Sequence, residues 1–135
     1  MKLSRAATPR RVAATPRAAV DAERTVREMY ERINARDVDG ALACVDENVV
    51  YEDFNFPAPF RGKAAVKKLF EESCEGIPDD LTFVIDASTC GGDAVGLTWH
   101  VELMGEAFPN ARGLSLIHIS EPTRLRRISY AVFCL

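Results

Sequence analysis

The residues best placed to do chemistry lie in one short aromatic segment, VVYEDFNFPAPF, in which Tyr51 and Asp53 are two positions apart. Residues two apart in a β-strand point to the same side, so this phenol and this carboxylate would face the same space. An apolar space disfavours the charged carboxylate and raises its pKa toward the range of a general base. The apolar wall would come from Phe54, Phe56 and Phe60. The alternative is structural, with Asp53 ending the strand and accepting a hydrogen bond from the next loop as an Asx turn.

A histidine and a carboxylate share one face of a later predicted strand, at His100 and Glu102. Such a pair could be catalytic or could bind a metal, but two ligands are too few for a metal site. We therefore interpret the pair as hydrated or as facing a second copy of the chain. The four cysteines have no C-x-x-C spacing, so we expect reduced thiols and no zinc site. The sequence calls for no cofactor.

Two helices are predicted before the aromatic strand. An i, i+3, i+4, i+7 pattern predicts a helix with Asp21 as its N-cap and an inward stripe of Val26, Met29, Tyr30 and Ile33. Tyr30 is thus a second phenol that could reach a pocket, and Met29 could line it. A second helix of two turns follows Asp37 and must depend on the rest of the domain for stability.

The sheet is predicted mostly from the second half of the chain. A strand at 49–54 is followed by a loop at 55–62, because Pro57 and Pro59 cannot donate to a sheet. A third helix runs from Lys63 to Gly76, with Val66, Leu69, Phe70 and Cys74 on one face. Alternating segments at 81–88, 94–104 and 107–113 predict three more strands. Trp99 points inward from the middle one, as pocket wall or core. The order predicts an α+β fold, with helices on one face of a curved antiparallel sheet.

The turn between the first two of these late strands is CGGD, in which Gly91 and Gly92 are available for positive φ.

Residues 1–20 carry five basic side chains and no acidic one, and they are rich in Ala, Thr and Pro. This composition is typical of an organelle transit peptide. It is also found in disordered basic tails, which is the alternative interpretation. We expect the folded domain to begin at residue 21, with the plastid as the destination if the segment is an address and the cytoplasm if it is not.

Residues 114–135 resemble the translation of a DNA adapter used in transposase-based sequencing. The blocks LSLIHISEPTR and ISYAVFCL match the fixed parts of such an adapter, and the three residues between them fill its variable index. On this interpretation residues 21–113 are a truncated domain whose own C-terminal strands are missing, and His118 carries no functional meaning. Both blocks alternate apolar residues, so we expect them to form strands where the lost ones belonged.

The charge distribution excludes one class of partner. Residues 21–113 carry a large excess of acidic over basic side chains. Binding of nucleic acid needs a basic face, so nucleic acid is excluded as a partner. No apolar stretch approaches 18 residues, so we predict no membrane span and no membrane partner.

Three phrases of the sequence resemble the NTF2-like (SnoaL-like) superfamily. They are VREMYERINARDVDGALACVDENVVYED, FPAPFRGKAAV and GLTWHVELMGEAFPNARG, and the resemblance covers nearly all of residues 22–113. The wording is most similar to a plant and algal plastid branch. The resemblance implies a cone in which helices cap a bent sheet around an apolar pocket, and homodimers that form through the open sheet face. It does not name an activity, because one fold carries many functions.

The resemblance also implies a role for Asp53. A gapless count from Asn34 puts Asp53 where ketosteroid-isomerase-like members place their general base. The same count puts Met29, beside Tyr30, where those members have a tyrosine donor, and it puts Arg112 near their second donor. The oxyanion hole is thus not reproduced, and steroid isomerisation is disfavoured.

These observations predict a domain that binds a hydrophobic small molecule. If it is an enzyme, we expect cofactor-free isomerisation, cyclisation or dehydration, with Asp53 as base and Tyr51 or Tyr30 as donor. The alternative is a non-catalytic module for ligand binding, protein interaction or dimerisation.

Overall fold

The computed structural model describes residues 16–121 and 124–133, in which three helices surround one side of a six-stranded sheet. The elements are α1 Pro16–Asn34, α2 Val38–Ala43, β1 Val45–Asp53, β2 Phe60–Arg61, α3 Lys63–Gly76, β3 Leu81–Gly91, β4 Ala94–Leu103, β5 Glu106–Glu121 and β6 Arg124–Phe133. The sheet order is β2-β1-β6-β5-β4-β3. Among the strands that the structure describes, β1 and β6 pair in parallel and every other pair is antiparallel. The predicted α+β fold, with helices on a curved and mainly antiparallel sheet, is confirmed.

Helix α1 carries the predicted inward stripe but begins earlier than predicted. Val26 and Met29 are almost fully buried, as the helical spacing requires. Asp21 is not the N-cap, because the described helix already starts at Pro16. Its carboxylate instead accepts a hydrogen bond from Arg24, one turn along the helix. The predicted leader therefore overlaps α1 at residues 16–20, and residues 1–15 lie outside the described part of the chain.

The segment Asn34–Ala35–Arg36–Asp37 forms the joint between α1 and α2. Arg36 has a φ of 60°, the left-handed conformation that ends many helices, and the Asp37 amide donates back to the Arg32 carbonyl. The Asp37 carboxylate then accepts a hydrogen bond from the Gly40 amide and caps α2, the helix that the sequence predicted after Asp37. The side chain of Asn34 pairs with both backbone groups of Phe83 on β3, like one residue of an added strand.

The aromatic strand β1 is longer than predicted and has a partner within the predicted loop. It begins at Val45, and Phe60–Arg61 pairs with it as the short edge strand β2. The interpretation of 55–62 as wholly loop is therefore wrong at these two residues. Both prolines precede β2, so neither removes a donor from its ladder.

Strands β3 and β4 form a hairpin with one extra residue in β3. Ile85 pairs with Trp99 and Ala87 pairs with Thr98, which leaves Asp86 as a bulge. Of the two glycines expected in the hairpin turn, Gly92 has the positive φ, at 64°.

The bulge reverses the alternation in β3, and simple alternation over 81–88 could not show this. Before the bulge, the odd-numbered residues Phe83 and Ile85 face inward. After the bulge, the even-numbered Ser88 faces the helices and donates a hydrogen bond to Glu23 on α1.

Residues 114–121 and 124–133 form the second half of β5 and all of β6. Both apolar runs thus adopt the predicted strand structure and complete the sheet beside β1. Ile117, Leu125 and Ile128 from this segment are buried in the core.

Candidate functional site

An apolar cavity of about 140 Å³ lies between α1, α3 and the sheet. Its lining comes from α1, β1, α3, the residue that follows α3, β3 and β6, in that order: Met29, Tyr30, Ile33, Tyr51, Leu69, Phe70, Ser73, Cys74, Ile77, Phe83 and Ile128. The 3.6-residue period of α3 places Leu69, Phe70 and Ser73 on the same side of that helix. All lining residues except Ile128 lie between residues 29 and 83, so the cavity belongs almost entirely to the first two thirds of the chain.

Four aromatic rings of the wall meet in two edge-to-face pairs. Tyr51 meets Phe70 with ring centroids 5.6 Å apart, and Tyr30 meets Phe83 at 6.4 Å. Behind the wall, Phe83 rests on the indole of Trp99 at 5.5 Å. Such contacts fix the ring orientations, so the cavity has rigid sides.

One hydroxyl of the wall is already engaged. The Tyr30 hydroxyl lies 2.9 Å from the Ser115 hydroxyl, which also accepts a hydrogen bond from the Trp99 indole. Burial raises the pKa of Tyr30 to about 12, while the Ser115 hydrogen bond acts in the opposite direction. Tyr30 is therefore neutral at physiological pH and donates or accepts as a phenol.

The mouth of the cavity lies at the C-terminal end of α3. Ser73 is exposed and Cys74 and Ile77 are half-buried, so the cavity reaches solvent beside them. Burial raises the pKa of the Cys74 thiol, and the nearby charge of Arg36 partly offsets this rise. The thiol is thus protonated near neutral pH and acts as a small, weakly polar group. Among the described residues, no Asp, Glu, Lys, Arg or His side chain lines the cavity.

Asp53 lies outside this cavity. It is half-buried at the end of β1, and its carboxylate accepts a hydrogen bond of 2.9 Å from the Asn55 amide. This is the Asx turn that the sequence offered as the alternative to a general base. Tyr51, on the same face of β1, does line the cavity. The structure therefore separates the carboxylate from the two phenols with which the sequence grouped it.

The predicted ligand-pocket residues also divide into two groups. Met29 lines the cavity, whereas Trp99 is fully buried behind it. Phe54 and Phe56 are 65% and 44% exposed, so they do not wall the pocket. Phe60 is half-buried between Phe56 and the cavity wall, with its ring centroid 5.1 Å from that of Phe56 and 6.5 Å from that of Tyr51.

His100 and Glu102 lie on the outer face of the sheet, away from the cavity. The His100 ring contacts two carboxylates, Glu102 at 3.1 Å and Asp86 at 2.7 Å. Within the described residues no group of His, Cys, Asp and Glu side chains has the arrangement of a metal site. The three described cysteines, Cys44, Cys74 and Cys90, are free thiols.

Comparison with known proteins identifies the class. Residues 26–128 match the SnoaL-like domain family, and the chain belongs to this family. Comparison with curated proteins gave no match. In the helices that the structure describes, none is long and apolar enough to cross a membrane.

Solved structures share the fold at low sequence identity. A candidate ketosteroid isomerase from Kribbella flavida has a TM-score of 0.69 and 16% identity, covering 84% of this chain and 78% of that chain. A SnoaL-like protein of unknown function from Burkholderia thailandensis has a TM-score of 0.69 and 21% identity, covering 87% and 96%. A candidate polyketide cyclase from Sinorhizobium meliloti has a TM-score of 0.66 and 17% identity, covering 83% and 97%. At these identities the likeness shows the fold alone.

Sequence reasoning missed the α3 and β3 side of the cavity. It placed Leu69 and Phe70 on the inward face of a helix but treated them as ordinary core. The sequence did contain a signal, because the inward face of this helix continues through Ser73 to Ile77. A polar residue on that face, followed by the end of the helix, marks the point at which the face becomes accessible to solvent. Phe83 was recognisable only as one member of an alternating strand.

Proposed function

We propose that this SnoaL-like domain binds a small, neutral, mainly apolar molecule in the cavity between α1, α3 and β1. The observation that carries the proposal is the lining itself, in which aromatic and aliphatic walls surround an open volume and no charged side chain of the described chain enters. Small-molecule sites are typically mostly apolar concavities with a few polar groups. Here the polar groups are the phenols of Tyr30 and Tyr51, the Ser73 hydroxyl and the Cys74 thiol.

The size of the cavity limits what fits inside it. A volume of about 140 Å³ is close to that of an engineered apolar cavity of about 150 Å³ that holds benzene or xenon. A single six-membered ring therefore fills it. A longer ligand must extend past Ser73 at the mouth.

The charge of the ligand is restricted by the same lining. An ionised group would lose its hydration without gaining a charged partner, which costs far more than the apolar contacts return. A neutral carbonyl or hydroxyl can instead bond to one of the wall phenols. We therefore expect a neutral ring or short chain with at most one or two polar atoms.

The test uses a matched pair of probes, benzene and benzoate, which differ by one carboxylate. We expect benzene to shift the methyl NMR signals of Ile33, Leu69 and Ile77 with a dissociation constant of about 1 mM or tighter, equivalent to about −4 kcal/mol. Benzoate should bind at least tenfold more weakly. Equal shifts from both probes, or shifts confined to surface methyl groups, would show that the cavity is not the site.

Acid–base catalysis is the second candidate function, and the observation that favours it is the shared strand face of Tyr51 and Asp53. Isomerisation, cyclisation and dehydration can each begin with removal of a proton next to a carbonyl. Exchange of the α-protons of cyclohexanone in D₂O reports that step directly. Catalysed exchange that disappears in Asp53→Asn would favour an enzyme. Equal exchange in both proteins would remove Asp53 as the base, and ligand binding would remain as the proposed function.

A homodimer through the outer sheet face is a further part of the proposal. Phe108 on β5 is 50% exposed and lies beside Asp86 and His100 on this face. Sedimentation of the purified chain beside Phe108→Lys tests it: the dimer is supported if the wild type sediments as two copies and the variant as one. A monomeric wild type would remove it.

Two proposals concern the ends of the chain. We infer that the residues after Gly113 derive from an adapter, and sequencing the gene from genomic DNA decides this by showing whether codons for LSLIHISEPTR follow. We also infer that residues 1–20 direct the protein to the plastid, as in the plant and algal branch that the sequence resembles. Fusion of those residues to a fluorescent protein in a plant cell tests this, and a cytoplasmic signal would contradict it.

A further inference from the structure

A three-residue cluster on the outer sheet face lies where two strand ladders are interrupted. Asp86 is the bulged residue of β3, and the pairing of β4 with β5 shifts register between His100 and Glu102. The His100 ring contacts both irregular positions, with Nδ1 2.7 Å from Asp86 and Nε2 3.1 Å from Glu102. Bulges bend the strands that contain them and increase their twist. One imidazole therefore joins two of the places at which the described strand ladders are interrupted.

The contacts require a particular protonation state. Only an imidazolium donates from both ring nitrogens, whereas a neutral ring has one donor and one lone pair. A lone pair that faced a carboxylate oxygen would be repelled. The hydrogen bond to Glu102 raises the pKa of His100 most, the Asp86 contact raises it further, and partial burial opposes both. Arg112 pairs directly opposite His100 on β5 and is the cation that faces this cluster from that strand, whereas the ring hydrogen bonds go to the two carboxylates.

The inner side of the same strands leads to the cavity. Trp99 precedes His100 and points the other way, into the core, where its ring contacts Phe83. Phe83 forms part of the cavity wall and contacts Tyr30. A change in the bend of β3 against β4 would therefore move the Trp99–Phe83 contact and the wall of the cavity.

We propose that protonated His100 is a pH-dependent staple that holds Asp86 and Glu102 together and so fixes the bend of the sheet behind the cavity. Because the folded pKa of His100 lies above its ordinary value of about 6.5, its contribution to stability is complete below that value. The contribution is lost as the pH rises through the folded pKa. Neutral to mildly alkaline solution should therefore loosen the bend.

Thermal unfolding between about pH 5.5 and 9 tests the staple in the full chain and in His100→Gln, with His118→Gln as the matched control. Titrations common to all three proteins cancel in the differences. We expect wild type and His118→Gln to lose about 3 °C in Tm relative to His100→Gln as the pH rises. Parallel curves for all three proteins would overturn the proposal.

A second readout does not depend on how well His100→Gln folds. Titration of the wild-type imidazole signals by NMR should give a pKa for His100 above about 6.5, and Asp86→Asn and Glu102→Gln should each lower it. An ordinary pKa that neither variant changes would overturn the staple.

The link to the cavity rests on the proposed function, and benzene affinity as a function of pH measures it. Affinity should fall in the wild type as His100 loses its proton. If benzene binds at no pH while His100 titrates as expected, the proposed function fails and the staple stands. If benzene binds with a pH dependence that His100→Gln preserves, the link between staple and cavity fails.

Discussion

Asp53 is the residue at which the two interpretations of this domain separate. Its carboxylate accepts the Asn55 amide at the end of β1, and the cavity is lined without it. The amide of an asparagine has an oxygen that can accept the same hydrogen bond. The carboxylate is therefore used as a turn-forming acceptor, a role that does not require its charge.

Asp53→Asn should leave benzene affinity within about twofold of wild type and change the free energy of unfolding by less than about 0.5 kcal/mol. The reason is that the substitution preserves the turn and touches no cavity wall. Titration of methyl NMR signals and denaturant unfolding measure the two quantities. A tenfold change in affinity would place the carboxylate in the site after all.

Individual residues also show how far the sequence could predict this site. The alternation of β1 correctly placed Tyr51 and Asp53 on one face, because alternation is a property of any strand. It could not show that the cavity ends before Asp53, since that depends on where α3 lies across the sheet. Asp86 illustrates the same limit, because only the bulge brings it to His100.

At the scale of elements, Arg36 in the joint between α1 and α2 fixes the end of α1 against the loop before β3. Its guanidinium donates to backbone carbonyls of Ile33, Asn34, Pro78, Asp79 and Leu81, at 2.6 to 3.4 Å. A helix C-terminus favours a cation. The spread of five carbonyl acceptors around the side chain suits a planar fork of donors and not a single ammonium. This joint holds the end of α1 beside the mouth of the cavity.

Arg36→Lys should lower the free energy of unfolding by about 2 kcal/mol, because several charge-assisted hydrogen bonds lose their donor. Arg61→Lys is the matched control, since Arg61 is exposed on the edge strand β2. Urea unfolding of both variants gives the comparison. Equal losses in the two would mean that the joint contributes nothing specific.

The pairing of β4 with β5 depends on a glycine. Gly113 lies directly opposite Trp99, and a Cβ atom built there would overlap the indole ring. Trp99 in turn supports Phe83 at the cavity wall. The absence of a side chain at residue 113 therefore allows the largest core residue to fit.

Gly113→Ala should lower the free energy of unfolding by about 3 kcal/mol, because the new methyl group would push the Trp99 ring away and force β4 and β5 apart. Gly91→Ala on β3 is the control, since a Cβ there meets no atom within 4 Å. Thermal unfolding of the pair measures the difference. A Gly113→Ala protein as stable as the control would show that the Trp99 ring moves without cost.

At the scale of the whole molecule, the sequence predicted the fold class, the inward stripes of α1 and α3 and the inward face of β4. These follow from local periodicity, which the core of a small domain must respect. Strand order and the parallel β1–β6 pair did not follow from local pattern, because they join residues about 80 positions apart. The cavity depends on the same long-range packing, which is why the sequence predicted a pocket but gave only part of its lining.

The most direct test of the account fills the cavity and measures what is lost. Ile33 lines the cavity from the last turn of α1, and Val20 lies 65% exposed on the same helix. Ile33→Trp should abolish benzene binding by methyl NMR while the circular dichroism spectrum stays that of the wild type. Val20→Trp should bind benzene as the wild type does. Binding that survives in a folded Ile33→Trp protein would contradict the claim that this domain holds its ligand between α1, α3 and β1.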